Sequence, residues 1–204
     1  SPIVAEIYGP EAEGRRQVLD RKVISLAPVV EESVRLLRAT QPAGMRLNVE
    51  CAPEAPPVLA DATQVQQMLL NLCGNAWQAM KGQGRRGRVE IGLEAYDQAP
   101  DATRDSQAMP AQGELAPGRY ACLFVRDNGA GMDAATQARL FEPFFTTKAP
   151  GEGTGLGGSV VHGVAQEHQA SIRVNSRSGE GTTFRVYFPA ASPPAASAPA
   201  QGGP

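Results

Sequence analysis

The chain has 204 residues, 42% of them hydrophobic and 20% charged, with 19 Lys plus Arg against 21 Asp plus Glu for a formal charge of −2. At roughly 150 residues per domain this is one domain with appendages, too apolar for a disordered chain and too neutral for nucleic acid to be its main partner. No apolar run approaches the roughly 18 residues of a membrane span, so nothing in this segment reads as membrane-embedded.

Residues 1–20 read as a linker ahead of the folded part. From Val23 to Arg38, Val30, Val34 and Leu37 recur near helical spacing with Pro28 suited to a first turn, which predicts a helix. Short extended pieces at Arg46 to Val49 and Pro57 to Ala60 precede Asp61, a cap for a helix over Thr63 to Met80. Along that helix Val65, Met68, Leu69, Leu72, Ala76, Ala79 and Met80 form the buried stripe, and Asn71 and Asn75 stand one turn apart on its edge. Leu70 and Trp77, on the other side, suit a neighbouring helix.

Arg88 to Tyr96 alternates Val89, Ile91, Leu93 and Ala95 with Glu90 and Glu94, and Arg119 to Arg126 is a second, more apolar strand. Between them, Asp97 to Pro117 has three prolines and no apolar period, which predicts a long surface loop. A short helix near Asp133 to Leu140, a glycine-rich stretch, a helix through Gly163 to Glu167 and strands at Ser171 to Ser176 and Thr182 to Phe188 complete the domain, taken as 21–189. Residues 190–204 contain only Pro, Ala, Ser, Gly and Gln and are expected to be a disordered tail. The mixed order predicts an α+β two-layer sandwich, a mixed sheet covered on one face by helices. Cys51, Cys73 and Cys122 are odd in number, flanked by apolar residues and never in a C-x-x-C pair, so they read as reduced thiols of a cytoplasmic domain.

Three constellations carry chemistry. Asn71 and Asn75 either satisfy backbone groups or offer a hard amide oxygen to magnesium. Asp127, Asn128, Gly129, Ala130 and Gly131 follow a strand; the run is an ordinary turn signal, or else a carboxylate for an amino group with bare backbone beside a flat ring. Gly151 to Gly158 runs into a helix start suited to phosphate. Its G-x-G-x-x-G spacing is not a dinucleotide site, since FEPFFTTKAP rather than a strand precedes it. It is not a protein-kinase loop either, because V-A-I-K, H-R-D and D-F-G are absent, as is the Walker motif.

In order, NLCGNA, DNGAGM, FEPFFTTK, GTGLGGSVV and GTTF resemble the N, G1, F, G2 and final glycine boxes of the histidine-kinase ATP-binding domain. That domain shares its superfamily with gyrase, heat-shock chaperone and MutL ATPases, and FEPFFTTK with VVHG is similar to the nitrogen-regulation type of sensor kinase. The resemblance implies Asn75 on magnesium, Asn71 near the phosphates, and Asp127 on the adenine amino group with Gly129 and Gly131 beside the ring. It implies Gly153, Thr154, Gly155, Leu156 and Gly157 around the triphosphate, Lys148 approaching from a lid spanning Thr146 to Gly155, and Thr182 facing the pocket.

Implied partners are a dimerisation and phosphoacceptor domain of the same protein, with residues 1–20 as the end of its helix, and a downstream response regulator. Neither His162 nor His168 is followed by the acidic residue of a phosphoacceptor, so both read as imidazoles of a helix surface or core edge. Relatives commonly carry leucine where Gly158 stands, which predicts a looser helix start, and many carry Lys or Arg where Gln78 stands. Stand-alone ATPases and serine kinases of the superfamily carry a glutamate base where this chain has Asn71, and an amide cannot act as that base. Those classes, and a degenerate ATP-binding module without phosphotransfer, are the alternatives to a histidine-kinase catalytic domain.

Overall fold

Alternating apolar residues make the strands and three- and four-residue apolar spacing makes the helices, and both sets turn toward one core. The computed structural model describes residues 18–84, 86–100, 109–110, 115–142 and 157–192. In chain order these form β1 (Lys22–Ile24), α1 (Ala27–Ala39), β2 (Arg46–Cys51), β3 (Val58–Ala60), α2 (Ala62–Ala79), β4 (Arg88–Gln98), β5 (Met109–Pro110) and β6 (Gly118–Asp127). Then come α3 (Ala134–Ala138), α4 (Gly157–Glu167), β7 (Ser171–Arg177) and β8 (Gly181–Pro189). The main sheet has six strands in the order β2, β4, β6, β8, β7, β5, while β1 and β3 form a separate pair. β2 lies parallel to β4 and every other pairing is antiparallel, so the sheet is mixed, as expected.

Val89, Ile91 and Leu93 of β4, Leu123 and Val125 of β6 and Phe184, Val186 and Phe188 of β8 point to the face covered by α1, α2 and α4. Helix α2 starts where Asp61 accepts hydrogen bonds from the Thr63 and Gln64 amides, as its N-cap role requires. Cys73 and Trp77 are buried along with the expected stripe, of which only Ala79 stays half-buried, because α2 is flanked by both other long helices. Leu70 and Trp77 therefore pack inside the domain, as the spacing predicted.

The structure corrects the sequence reading at several points. Val23 and Ile24 are not helical: they pair with Leu59 and Val58, and the helix begins at Ala27 with proline in its first turn. The tertiary pairing of three residues overrides the local apolar pattern. The stretch expected as a surface loop is partly structured, since β4 runs to Gln98 and Met109 and Pro110 pair with Val174 and Arg173 at the sheet edge. Leu115 is buried with Tyr120, Cys122 and Tyr187 in a small cluster on the sheet face away from the helices. Pairing also continues beyond β8, where Ala190 bridges Val58 and the Ala191 amide bonds the Pro57 carbonyl. The rest of the expected tail, and most of the expected linker, lie outside the described residues.

Gly158 is tight, not loose. A methyl group on its Cα would lie 2.1 Å from the Leu140 carbonyl oxygen, so α4 abuts the turn after α3 at a distance only glycine permits. One helical turn on, the His162 ring lies against Phe141, with centroids 5.6 Å apart. His168 is 4% exposed, with Nδ1 donating to the Val164 carbonyl at 2.8 Å and Nε2 accepting the Asp61 amide at 3.0 Å. It ties the end of α4 to the start of α2, a structural role consistent with its lacking a phosphoacceptor sequence. All three cysteines are free, and burial pushes the Cys73 and Cys122 thiols up to about 12.

Candidate nucleotide site

β6 delivers Asp127 to the end of the central strands, where its Cα partner on β8 is Thr182. Asp127 is 8% exposed. Its Oδ1 accepts the Gly129 amide at 2.8 Å, and the Thr182 amide also bonds the carboxylate. Burial raises its pKa above the usual carboxylate value, and those two amide bonds oppose the rise. A half-satisfied buried carboxylate is an acceptor facing a demand for a donor.

The loop after Asp127 is held by close backbone approach. A side chain at Gly129 would meet the Ala79 carbonyl at 2.9 Å, and the Ala130 amide donates to that same carbonyl at 3.1 Å. The loop is thereby seated on the C-terminal end of α2. Gly131 has φ +67, and a methyl group there would lie 1.9 Å from the Arg177 carbonyl oxygen, so conformation and space both require glycine. The turn reading of this loop is met, with the Asp127 carboxylate closing it through the Gly129 amide.

Asn71, Asn75 and Ala79 succeed one another at four-residue spacing along α2, which brings the asparagine edge toward the Asp127 loop. The Asn71 side-chain nitrogen donates to the Gln67 carbonyl at 2.9 Å, which satisfies one end of its amide and leaves the oxygen for another donor. Asn75 is half-buried beside it. Gln78 is exposed. Thr182 is 6% exposed and shares the inner-face parity of Phe184, Val186 and Phe188 on β8. Gly157 opens α4. Lys148, Gly153, Thr154, Gly155 and Leu156, with the whole expected lid, lie outside the described residues.

Three side chains here make contacts that the sequence reading did not foresee. Asn128 accepts the Arg88 amide at 2.8 Å and donates to the Arg86 carbonyl at 3.1 Å, fixing the loop to the start of β4. Ser176 accepts the Met132 amide at 2.8 Å and lies 2.7 Å from the Thr182 hydroxyl. Gln137 donates to the carbonyls of Met132 and Ser176 at 3.0 and 3.1 Å, bracing the loop against β7. Strand parity with Ile172 and Val174 was the available signal for Ser176; the other two contacts span 40 residues or so and leave no local trace.

Residues 60–192 match the family described as histidine kinase-, DNA gyrase B-, and HSP90-like ATPase. The chain is 34% identical over 178 residues to the sensor kinase CckA of Brucella abortus, across 87% of this chain and 18% of that protein. It is 32% identical over 190 residues to the sensory histidine kinase/phosphatase NtrB of Rhodobacter capsulatus, across 93% of this chain and 49% of that protein. It thus spans less than half the length of either relative. The fold is similar to that of full-length ShkA in complex with AMPPNP, with a TM-score of 0.61 at 22% identity over 89% of this chain and 34% of that one. The chain belongs to the histidine kinase-, DNA gyrase B- and HSP90-like ATPase family, as an ATP-binding catalytic domain of the sensor histidine kinase type.

Proposed function

We propose that this domain binds magnesium ATP, with adenine at Asp127, and donates the terminal phosphate to a histidine on a separate dimerisation domain of the same protein, for onward transfer to a response regulator. The buried Asp127 carboxylate carries this reading: it is costly to maintain unless a donor such as the adenine amino group meets it. Family resemblance puts Gly129 and Gly131 beside the ring, and their close packing on the Ala79 and Arg177 carbonyls holds the loop that carries Asp127.

The donor set fits magnesium as well. Asn75 supplies a hard amide oxygen on the same helix edge that meets the Asp127 loop, with Asn71 one turn away toward the phosphates. Magnesium would neutralise phosphate charge; the chain's own residues position the nucleotide, which is most of what phosphoryl transfer asks of a protein. Family resemblance assigns the triphosphate to Gly153, Thr154, Gly155, Leu156, Gly157 and Lys148. The AMPPNP bound by ShkA is in keeping with this ligand class. Three free thiols suit a cytoplasmic setting, and no described helix is long and apolar enough to cross a membrane. Calorimetric titration of ATP with and without magnesium tests the reading. Affinity that depends on both magnesium and Asp127 supports it, and affinity indifferent to either overturns it.

A further inference from the structure

Ser176 has three polar neighbours and only one proton. The Met132 amide donates to its Oγ at 2.8 Å, the Gly181 carbonyl oxygen lies at 3.2 Å, and the Thr182 Oγ1 lies at 2.7 Å. The carbonyl can only accept and the amide can only donate, whereas the threonine hydroxyl can do either. All three contacts are made in a single arrangement: Ser176 accepts from Met132, donates to Gly181, and accepts from Thr182. Were Ser176 to donate to Thr182 instead, the Gly181 contact would be lost. Gln137 holds this arrangement in place by bonding the carbonyls of both Met132 and Ser176.

The consequence reaches the base pocket. With its proton committed to Ser176, the Thr182 hydroxyl offers only lone pairs to anything else. Its Cα partner Asp127 is a carboxylate, also an acceptor. We propose that Ser176 is a positioning residue for base selection: it orients the Thr182 hydroxyl so that Thr182 and Asp127 present acceptors alone, and the site takes a purine with an amino group at C6 while rejecting one with a carbonyl there. This rests on the reading of Asp127 as the adenine-binding carboxylate. A buried site built for one hydrogen-bond polarity discriminates strongly because the wrong partner leaves its groups unpaired.

Calorimetric titration of the whole chain with ATP and with inosine triphosphate, which carries the C6 carbonyl, provides the test. Ser176→Ala releases the Thr182 proton to donate toward that carbonyl, so the preference for ATP should fall about tenfold, with inosine triphosphate binding gaining. Ser176→Thr, which keeps a hydroxyl, should restore the preference. In a Thr182→Val background, Ser176→Ala should leave the preference unchanged, since no hydroxyl remains to be oriented. If Ser176→Ala does not fold, Ser176→Cys, a weak donor and acceptor of similar size, carries the same expectation. An unchanged preference in Ser176→Ala, or parallel weakening of both nucleotides, would overturn the proposal and leave a structural serine. A wild-type chain that binds both nucleotides equally, or neither, would instead overturn the adenine reading of Asp127.

Discussion

Asp127 combines two demands that pull in opposite directions. Burial favours its neutral form, and the amides of Gly129 and Thr182 favour the charged one, with burial the larger effect. Because the folded pKa lies above the unfolded value, this group favours the fold most fully below about 3.8 and loses that contribution as pH rises through the folded pKa. At neutral pH the ionised carboxylate therefore costs stability. Nucleotide binding runs the other way, since the acceptor is the ionised form. ATP affinity should fall as pH is lowered from neutrality through the raised pKa, in a window lying above the ordinary carboxylate value, and calorimetry across an acid series reads it. Asp127→Asn should weaken ATP binding by about 1–3 kcal/mol in a folded protein, because the amide turns a donor toward a donor. Undiminished affinity with an unchanged circular-dichroism spectrum would remove Asp127 from the site.

At the scale of elements, the sequence announced what local chemistry determines and missed what distant pairing determines. Helix α2 was legible because Asp61 caps it and its stripe keeps helical spacing for 18 residues. β1 was not, because three residues ahead of a helix become a strand only through pairing with β3, 36 residues away at the Val23 and Leu59 pair. Gly158 was misread for the same reason: its need for space arises from Leu140, which a linear pattern cannot place. Gly158→Leu, although it installs the residue that the family resemblance leads one to expect there, should destabilise this chain by about 1–3 kcal/mol by forcing α4 off the preceding turn. Gly163→Ala, in the same helix with nothing within 4 Å, should instead be neutral or stabilising by up to about 1 kcal/mol. Thermal melts of the two variants decide it, and equal effects would mean that the Leu140 contact does not constrain the helix.

For the molecule as a whole, the sheet and the helix packed on it bring together residues from α2, β6, β7 and β8 that are separated by up to about half the chain, and of the five sequence boxes NLCGNA, DNGAGM and GTTF lie on these described elements. What was not legible is the bracing between boxes by Asn128, Gln137 and Ser176. The same architecture sets an expectation for activity. On the proposed reading Asn71 stands where the family's ATPases have a carboxylate base, and its side chain donates to the Gln67 carbonyl, so the chain alone should hydrolyse ATP slowly while binding it. His168 is committed through both ring nitrogens, and neither histidine has a phosphoacceptor sequence, so the chain should also remain unlabelled by γ-labelled ATP. Adding the separate helical domain of the same protein should restore labelling on that domain's histidine, because transfer then requires only productive docking. On the proposed magnesium role of Asn75, Asn75→Ala should block the transfer even where nucleotide still binds. The assay separates the outcomes by acid stability and mass mapping: acid-labile phosphate on the added domain supports histidine transfer. Acid-stable label on a serine or threonine, or rapid hydrolysis by the chain alone, would assign the domain to the ATPase or serine-kinase branch of its family.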